Sequence, residues 1–249
     1  MYYGIIVISG PLHLLNCISM NPQINTGQTP PADAKALSRR RFLGYASAFS
    51  GVSLLTACSR DNDIFYDGGV SLGSGDTGIL NYAYALEQLE AAFYTQVVAA
   101  GMSWATALEK QLFADIRDHE IAHREFFRAA LGNNKIQDLT PNFSTINFAD
   151  RTSVLETARS FEDLGVQAYN GAGQLLTSAD YLALAGKIVS VEARHAAYIR
   201  ELIKPASFAD TSILETANRI DRHKMPGEVL SIAGKYINER LDASKLPTQ

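Results

Sequence analysis

The sequence predicts an all-α protein built around a four-helix bundle. From Ile79 onward, apolar residues recur at spacings of three and four, which is typical of helices with one buried face. No segment shows the alternation of apolar and polar residues expected of a strand. One connection, "NNKIQDLTPNFSTINFAD", is far longer than the others. A long central crossover between short turns is one known way to connect four bundled helices.

The four helices are predicted near residues 77–100, 104–131, 152–176 and 178–204. Gly101, Gly132 and Pro205 follow three of them, as expected for residues that end helices. Residues 205–249 form a C-terminal extension with a short helical tail. Within it, "FADTSILETA" resembles "FADRTSVLETA" at 148–158, which indicates a second loop and helix start capped by aspartate.

Composition limits the classes of partner and the sources of stability. The chain has 249 residues, is 47% hydrophobic and carries a net charge of −4. It has no broad basic surface for a phosphate backbone, so a nucleic acid partner is not expected. Its two cysteines, Cys17 and Cys58, precede the helices, so the core has no disulfide and depends on packing or metal.

The stretch "LSRRRFLGYASAFSGVSLLTACS" is a targeting segment. "SRRRFL" resembles the twin-arginine export signal, and "LTAC" resembles the lipobox of bacterial lipoproteins. An uncleaved membrane anchor is the alternative. However, the apolar run from Phe42 to Ala57 is interrupted by Gly44 and Gly51 and is shorter than the roughly 20 residues that a spanning helix needs.

These resemblances imply an envelope protein held at the membrane by a lipid. Residues 1–57 would be the export signal, with Met20 as a possible true start, and Cys58 would be lipidated. Residues 58–76, rich in Gly, Asp and Ser, are expected to be a flexible tether. The bundle itself would occupy residues 77–204.

Chemistry-bearing residues interrupt the apolar faces of all four predicted helices. The second and fourth helices each carry a glutamate and a histidine three residues apart. The first and third each carry a glutamate followed seven residues later by a tyrosine. In order, the pairs are Glu120 with His123, Glu192 with His195, Glu87 with Tyr94, and Glu162 with Tyr169. The repetition indicates an internal duplication of a helix pair.

Burying four carboxylates and two imidazoles in an apolar core would be costly without compensating charge. Two divalent cations would balance the four carboxylates, and a histidine three residues from a glutamate can reach the same ion. Oxygen ligands with two imidazoles favour two iron ions, or manganese, over metals that prefer sulfur. The predicted ligands are Glu87, Glu120, His123, Glu162, Glu192 and His195.

The segments "LEQLEAAFY", "DHEIAHREFF", "FEDLGVQAYNGA" and "VEARHAAYIRELI" resemble the ferritin-like superfamily, in particular its exported bacterial ferritin-like domain proteins. The resemblance assigns each site residue a role. It implies bridging by Glu120 and Glu192, nitrogen ligation by His123 and His195, terminal ligation by Glu87 and Glu162, and Tyr94 and Tyr169 beside the metals.

The polar residues near the predicted ligands differ in their position on the helices. Glu90 faces inward, but Gly165 takes its place in the third helix, so we interpret Glu90 as lying behind the ligands or at the rim. His119 and His223 are predicted to be ordinary surface residues. Asp118 is a candidate hydrogen-bond partner for a ligand.

The resemblance implies oxidation of Fe(II) by O2 or peroxide, as in a ferroxidase or peroxidase acting in stress protection. No CxxC pair is present, which excludes a rubrerythrin with its own electron relay. The alternative is a non-catalytic, desiccation-related structural protein in which metals only hold the bundle together. An iron-storage shell is disfavoured because a lipid anchor on every subunit suits a closed cage poorly.

Overall fold

The computed structural model describes residues 69–248; the predicted export signal, Met20, Cys58 and residues 58–68 of the predicted tether lie outside them. The described chain is almost entirely helical. Its helices are α1 (Gly75–Ala99), α2 (Ala107–Leu131), α3 (Arg151–Gly173), α4 (Ala179–Ile203) and the short α5 (Pro226–Ala233). Single 3-10 turns span Gly132–Asn134 and Gly234–Tyr236, and two-residue strands span β1 (Val70–Ser71) and β2 (Leu241–Asp242).

The prediction of an all-α bundle is confirmed, with each helix end within three residues of the predicted one. The largest shift at a start is at α2, which begins at Ala107 because Thr106 caps it. The Thr106 hydroxyl accepts a hydrogen bond from the Glu109 backbone N–H, and the Glu109 carboxylate accepts one from the Thr106 N–H. This reciprocal capping box satisfies two backbone donors at the helix start.

Helix α1 is buried along most of its length, from Gly78 to Val97. It packs against α2, and the long crossover is fixed to it by two buried amides. The Asn81 side chain accepts from the Ile136 N–H at 2.9 Å, and that of Gln88 accepts from the Leu139 N–H at 2.8 Å. Satisfying loop donors in this way lets the crossover cover α1 without leaving its own backbone unpaired.

The C-terminal extension packs on α3 and forms the predicted short helix, α5. The expected repeat of a capped helix start within it is wrong. Asp150 does cap α3, accepting from the Ser153 N–H at 2.7 Å. Asp210 instead lies 3.2 Å from the Arg200 guanidinium, and the chain around it forms turns. Asp210 also accepts a hydrogen bond from the Ser212 N–H at 2.8 Å, so it caps a turn rather than a helix.

The last part of the predicted tether belongs to the folded domain. Strand β1 pairs in parallel with β2, and Leu72 is completely buried. The Asp76 carboxylate accepts hydrogen bonds from the N–H groups of Thr177 and Ser178 at 2.8 and 2.9 Å. A composition rich in Gly, Asp and Ser suits turns and caps as well as tethers, so the boundary at residue 76 lies too far along the chain. Among the described residues, no helix is both long and apolar enough to cross a membrane.

Candidate metal centre

The six residues predicted as metal ligands come together at the middle of the bundle. They form two overlapping groups, within each of which the possible ligand atoms lie no more than 4.8 Å apart. One group is Glu87, Glu120, His123 and Glu192; the other is Glu120, Glu162, Glu192 and His195. Glu120 and Glu192 belong to both groups, as bridging carboxylates would.

Each of the four long helices contributes to the centre because its apolar face turns inward. On α2 and α4, a spacing of three residues places glutamate and histidine on the same face. All four glutamates are completely buried, and His195 is 5% exposed. The side chain of His123 retains 13% of its exposure. The centre is therefore enclosed by the helices that build it.

His123 faces three carboxylates through its Nδ1 atom. This atom lies 2.9 Å from Glu192 Oε1 and 3.5 Å from both Glu87 Oε2 and Glu120 Oε2. The histidine of α2 thus lies beside the glutamate of α1, its partner in the first helix pair, and also beside both shared carboxylates.

His195 is arranged in the same way in the second helix pair. Its Nδ1 lies 2.8 Å from Glu120 Oε1, 3.5 Å from Glu162 Oε2 and 3.8 Å from Glu192 Oε2. In both halves the same ring nitrogen points inward. The two histidines are therefore equivalent as donors of one nitrogen each.

Short distances do not make these contacts hydrogen bonds. Eight buried side-chain atoms of the six residues have no hydrogen-bond partner: Glu87 Oε2, both oxygens of Glu120 and of Glu192, Glu162 Oε2, and Nδ1 of His123 and of His195. Leaving so many buried polar atoms unsatisfied would be strongly destabilising. Metal ligands are arranged in this way, because their lone pairs are directed at a cation and not at one another. The residues therefore fit two divalent metal ions.

The electrostatics of the metal-free chain reflect the same crowding of carboxylates. Burial raises the pKa of Glu120 to about 8 and that of Glu162 to about 7. Burial alone would lower the pKa of both histidines, but the surrounding carboxylates outweigh it and raise each to about 12. Protons on these groups offset the buried negative charge when no cation does so.

Two tyrosines form hydrogen bonds with Glu87 and Glu162, each from the opposite helix pair. The Tyr94 hydroxyl of α1 donates to Glu162 Oε1, and the Tyr169 hydroxyl of α3 donates to Glu87 Oε1. Burial, followed by the nearby carboxylates, raises the pKa of both phenols well above the usual value, so both remain protonated donors. Each carboxylate thereby keeps one oxygen fixed and the other directed inward.

Glu90 lies behind the ligands rather than among them. It is 4% exposed, and burial followed by the charge of Glu192 raises its pKa well above the usual value. It uses space that Gly165 leaves open. A Cβ atom at position 165 would lie 3.2 Å from Glu90 Oε1.

The expectation that His119 is an ordinary surface residue is wrong. Although His119 is exposed, its Nδ1 lies 2.9 Å from Nε2 of His195, and the two rings meet edge to edge with centroids 5.1 Å apart. The sequence signal was its position one helical turn before His123. Asp118 does not approach a ligand: its side chain is 62% exposed and pairs with Arg117. His223 is exposed, as expected.

Fold and site together define a four-helix protein whose inward carboxylates and histidines are suited to binding metal. The family profile of the ferritin-like domain matches residues 75–205, more than half of the chain. The protein therefore belongs to the ferritin-like domain family. None of the curated proteins compared with the chain matches it.

Proposed function

We propose that the protein is a carboxylate-bridged di-metal protein of the cell envelope that couples oxidation of Fe(II) to reduction of O2 or peroxide. Two iron ions would be its cofactor, with manganese as the alternative metal. The observation that carries the proposal is the pair of ligand groups sharing Glu120 and Glu192. Two overlapping groups of four ligands support two neighbouring ions rather than a single one.

Charge and ligand type support this assignment. The four ligand carboxylates would neutralise two divalent cations, while each histidine supplies a neutral nitrogen. Two bound iron ions would supply the redox chemistry. Tyr94 and Tyr169 hold Glu162 and Glu87 in place through their hydroxyl groups. The surrounding apolar residues of the bundle keep bulk water from the charged groups.

Burial of the site favours small oxidants over organic substrates. The four ligand glutamates have no exposed surface, and within residues 69–248 the closely packed helices enclose them. The same enclosure also favours the second candidate, a non-catalytic envelope protein whose metals only stabilise the bundle. The two candidates share their ligands and differ in whether the bound metal turns over oxidant.

Oxidant consumption distinguishes the catalytic candidate from the non-catalytic one. The purified chain would be loaded anaerobically with two Fe(II) per molecule and mixed with O2 or with hydrogen peroxide. The proposal predicts protein-dependent oxidant consumption that His195→Ala abolishes and His223→Ala, which removes an exposed histidine, leaves unchanged. Oxidation no faster than that of free Fe(II), together with a metal-dependent rise in melting temperature, would support the structural candidate instead.

The proposed envelope location depends on Cys58. Cys58→Ala should abolish lipidation and move the protein to soluble fractions, since a tether of Gly, Asp and Ser has no membrane affinity of its own. Cys17→Ala is the matched control and should leave the distribution unchanged. Continued membrane association of the Cys58 variant would reject the lipid anchor.

A further inference from the structure

Both ring nitrogens of His195 are engaged. Nδ1 faces the carboxylates of Glu120 and Glu162 at 2.8 and 3.5 Å, and Nε2 lies 2.9 Å from Nδ1 of His119. The two imidazole planes are 10° apart and the ring centroids are 5.1 Å apart, so the rings lie edge to edge along this contact and nearly in one plane. The in-plane hydrogen bond at the outer nitrogen restricts rotation of the His195 ring.

The contact also determines which tautomer suits the centre. A neutral imidazole has one nitrogen that donates and one that accepts. If Nδ1 of His195 gives its lone pair to a cation, the proton lies on Nε2 and is donated to Nδ1 of His119. His119 then keeps its own proton on its outer nitrogen. Outer hydrogen bonds of this kind fix the ring orientation of metal-binding histidines and strengthen them as ligands.

The other histidine has no such support. Within residues 69–248, no side chain or carbonyl group makes a hydrogen bond with Nε2 of His123. Val191 precedes Glu192 as His119 precedes Glu120, and it has no polar side-chain atom. The two ligand groups are therefore equivalent in the residues facing the metals and different in what lies behind their histidines.

We infer that His119 is a positioning residue for His195 and makes the two metal sites unequal. The group containing His195 binds its ion more tightly than the group containing His123, because one ligand is already oriented before the ion arrives. This inference rests on the proposed di-metal centre. Loss of such an outer partner typically weakens metal binding by about 10-fold to 100-fold.

The test is titration of the metal-free full chain with Co2+, followed by visible absorption and calorimetry. The wild-type chain should bind two ions in two resolved steps. His195→Ala should remove the tighter step, and His123→Ala the weaker one. His119→Leu should weaken only the tighter step, by about 10-fold to 100-fold. His119→Asn should largely restore it, since its carbonyl oxygen can accept the same hydrogen bond.

Melting of the metal-free variants separates positioning from general stability. His119→Leu should melt close to wild type, and His223→Leu should match wild type in both assays. The inference is overturned if His119→Leu changes neither step, if it weakens both steps along with the metal-free melting temperature, or if the tighter step depends on His123. Fewer than two Co2+ bound by the wild-type chain would instead reject the di-metal centre itself.

Discussion

The first helix pair, α1 and α2, and the second, α3 and α4, contribute matching sets of residues to the candidate metal centre. Each supplies one glutamate that belongs to a single ligand group, one glutamate that both groups share, and one histidine. The tyrosines exchange between halves, because Tyr94 binds Glu162 and Tyr169 binds Glu87. The glutamate in the first helix of each pair therefore receives its tyrosine hydrogen bond from the other pair.

The halves differ one step away from the ligands. Glu90 in α1 corresponds to Gly165 in α3, and His119 in α2 corresponds to Val191 in α4. A ligand cannot be exchanged without leaving buried charge unpaired. A residue behind a ligand needs only to fit the space between the packed helices, so the two halves can differ there. The residues that face the candidate metal centre are therefore more restricted than the residues behind them.

The largest expected effect comes from a carboxylate that both ligand groups share. Glu120→Ala should lose both ions because it removes an oxygen ligand from each group. His123→Ala and His195→Ala should each lose one. Metal analysis of protein never exposed to chelator measures the number of ions retained. Glu125→Ala, at a half-exposed position of α2 outside both ligand groups, is the control. Two ions retained by Glu120→Ala would contradict the shared role.

Removing the exchanged tyrosine hydroxyls tests whether the halves are energetically equivalent. Tyr94→Phe and Tyr169→Phe each remove one hydrogen bond to a buried carboxylate, so each should lower the free energy of unfolding by about 2 kcal/mol. Denaturant unfolding of the metal-loaded protein provides the measurement. Similar losses of unfolding free energy in the two variants would support equivalent halves. A large loss in only one variant would contradict this equivalence.

A double-mutant cycle tests the pairing of Glu90 with Gly165. Alanine favours a helix over glycine by about 1 kcal/mol, but a Cβ at position 165 would crowd the Glu90 carboxylate at 3.2 Å. Gly165→Ala should therefore stabilise a Glu90→Ala background by about 1 kcal/mol and give no gain in wild type. Thermal melting of the four proteins measures the difference. Equal effects in both backgrounds would show that the contact does not matter.

The smallest effect concerns a contact joining the two helix pairs at one end. The Arg151 guanidinium donates to the Glu109 carboxylate at 2.8 Å and, with the Thr106 N–H, lowers its pKa. A carboxylate whose pKa is lower in the folded than in the unfolded state stabilises the fold at pH values above its unfolded-state pKa, about 4.3 for glutamate. That stability is lost as the pH falls through the folded-state pKa. Glu109→Gln should destabilise the metal-free protein by about 0.5 to 1 kcal/mol at pH 7.

Below about pH 4, near the unfolded pKa of glutamate, the difference between Glu109→Gln and wild type should shrink. Urea unfolding at a series of pH values measures this difference, with Glu125→Gln, whose side chain is 44% exposed, as the control for loss of a surface carboxylate. A difference that stays constant with pH would show that the ion pair contributes nothing.

The sequence by itself determined the helices, their order and the six residues of the centre. Carboxylates and imidazoles within apolar stripes are costly to bury, so their spacing reveals which faces meet. The repeated Glu-x-x-His and Glu-to-Tyr spacings then indicated two equivalent halves. These signals are local, because a helix fixes which residues share a face without reference to its neighbours.

Only the tertiary structure decided what lies behind and around the ligands. Spacing could not show that His119 of α2 reaches His195 of α4, because that contact depends on how closely two helices approach and on their rotation. Spacing could not show that Asp210 pairs with Arg200 instead of starting a helix, or that Leu72 is buried in the core. These outcomes depend on partners distant in sequence, whose charge and shape select among conformations that local propensity leaves nearly equal in free energy.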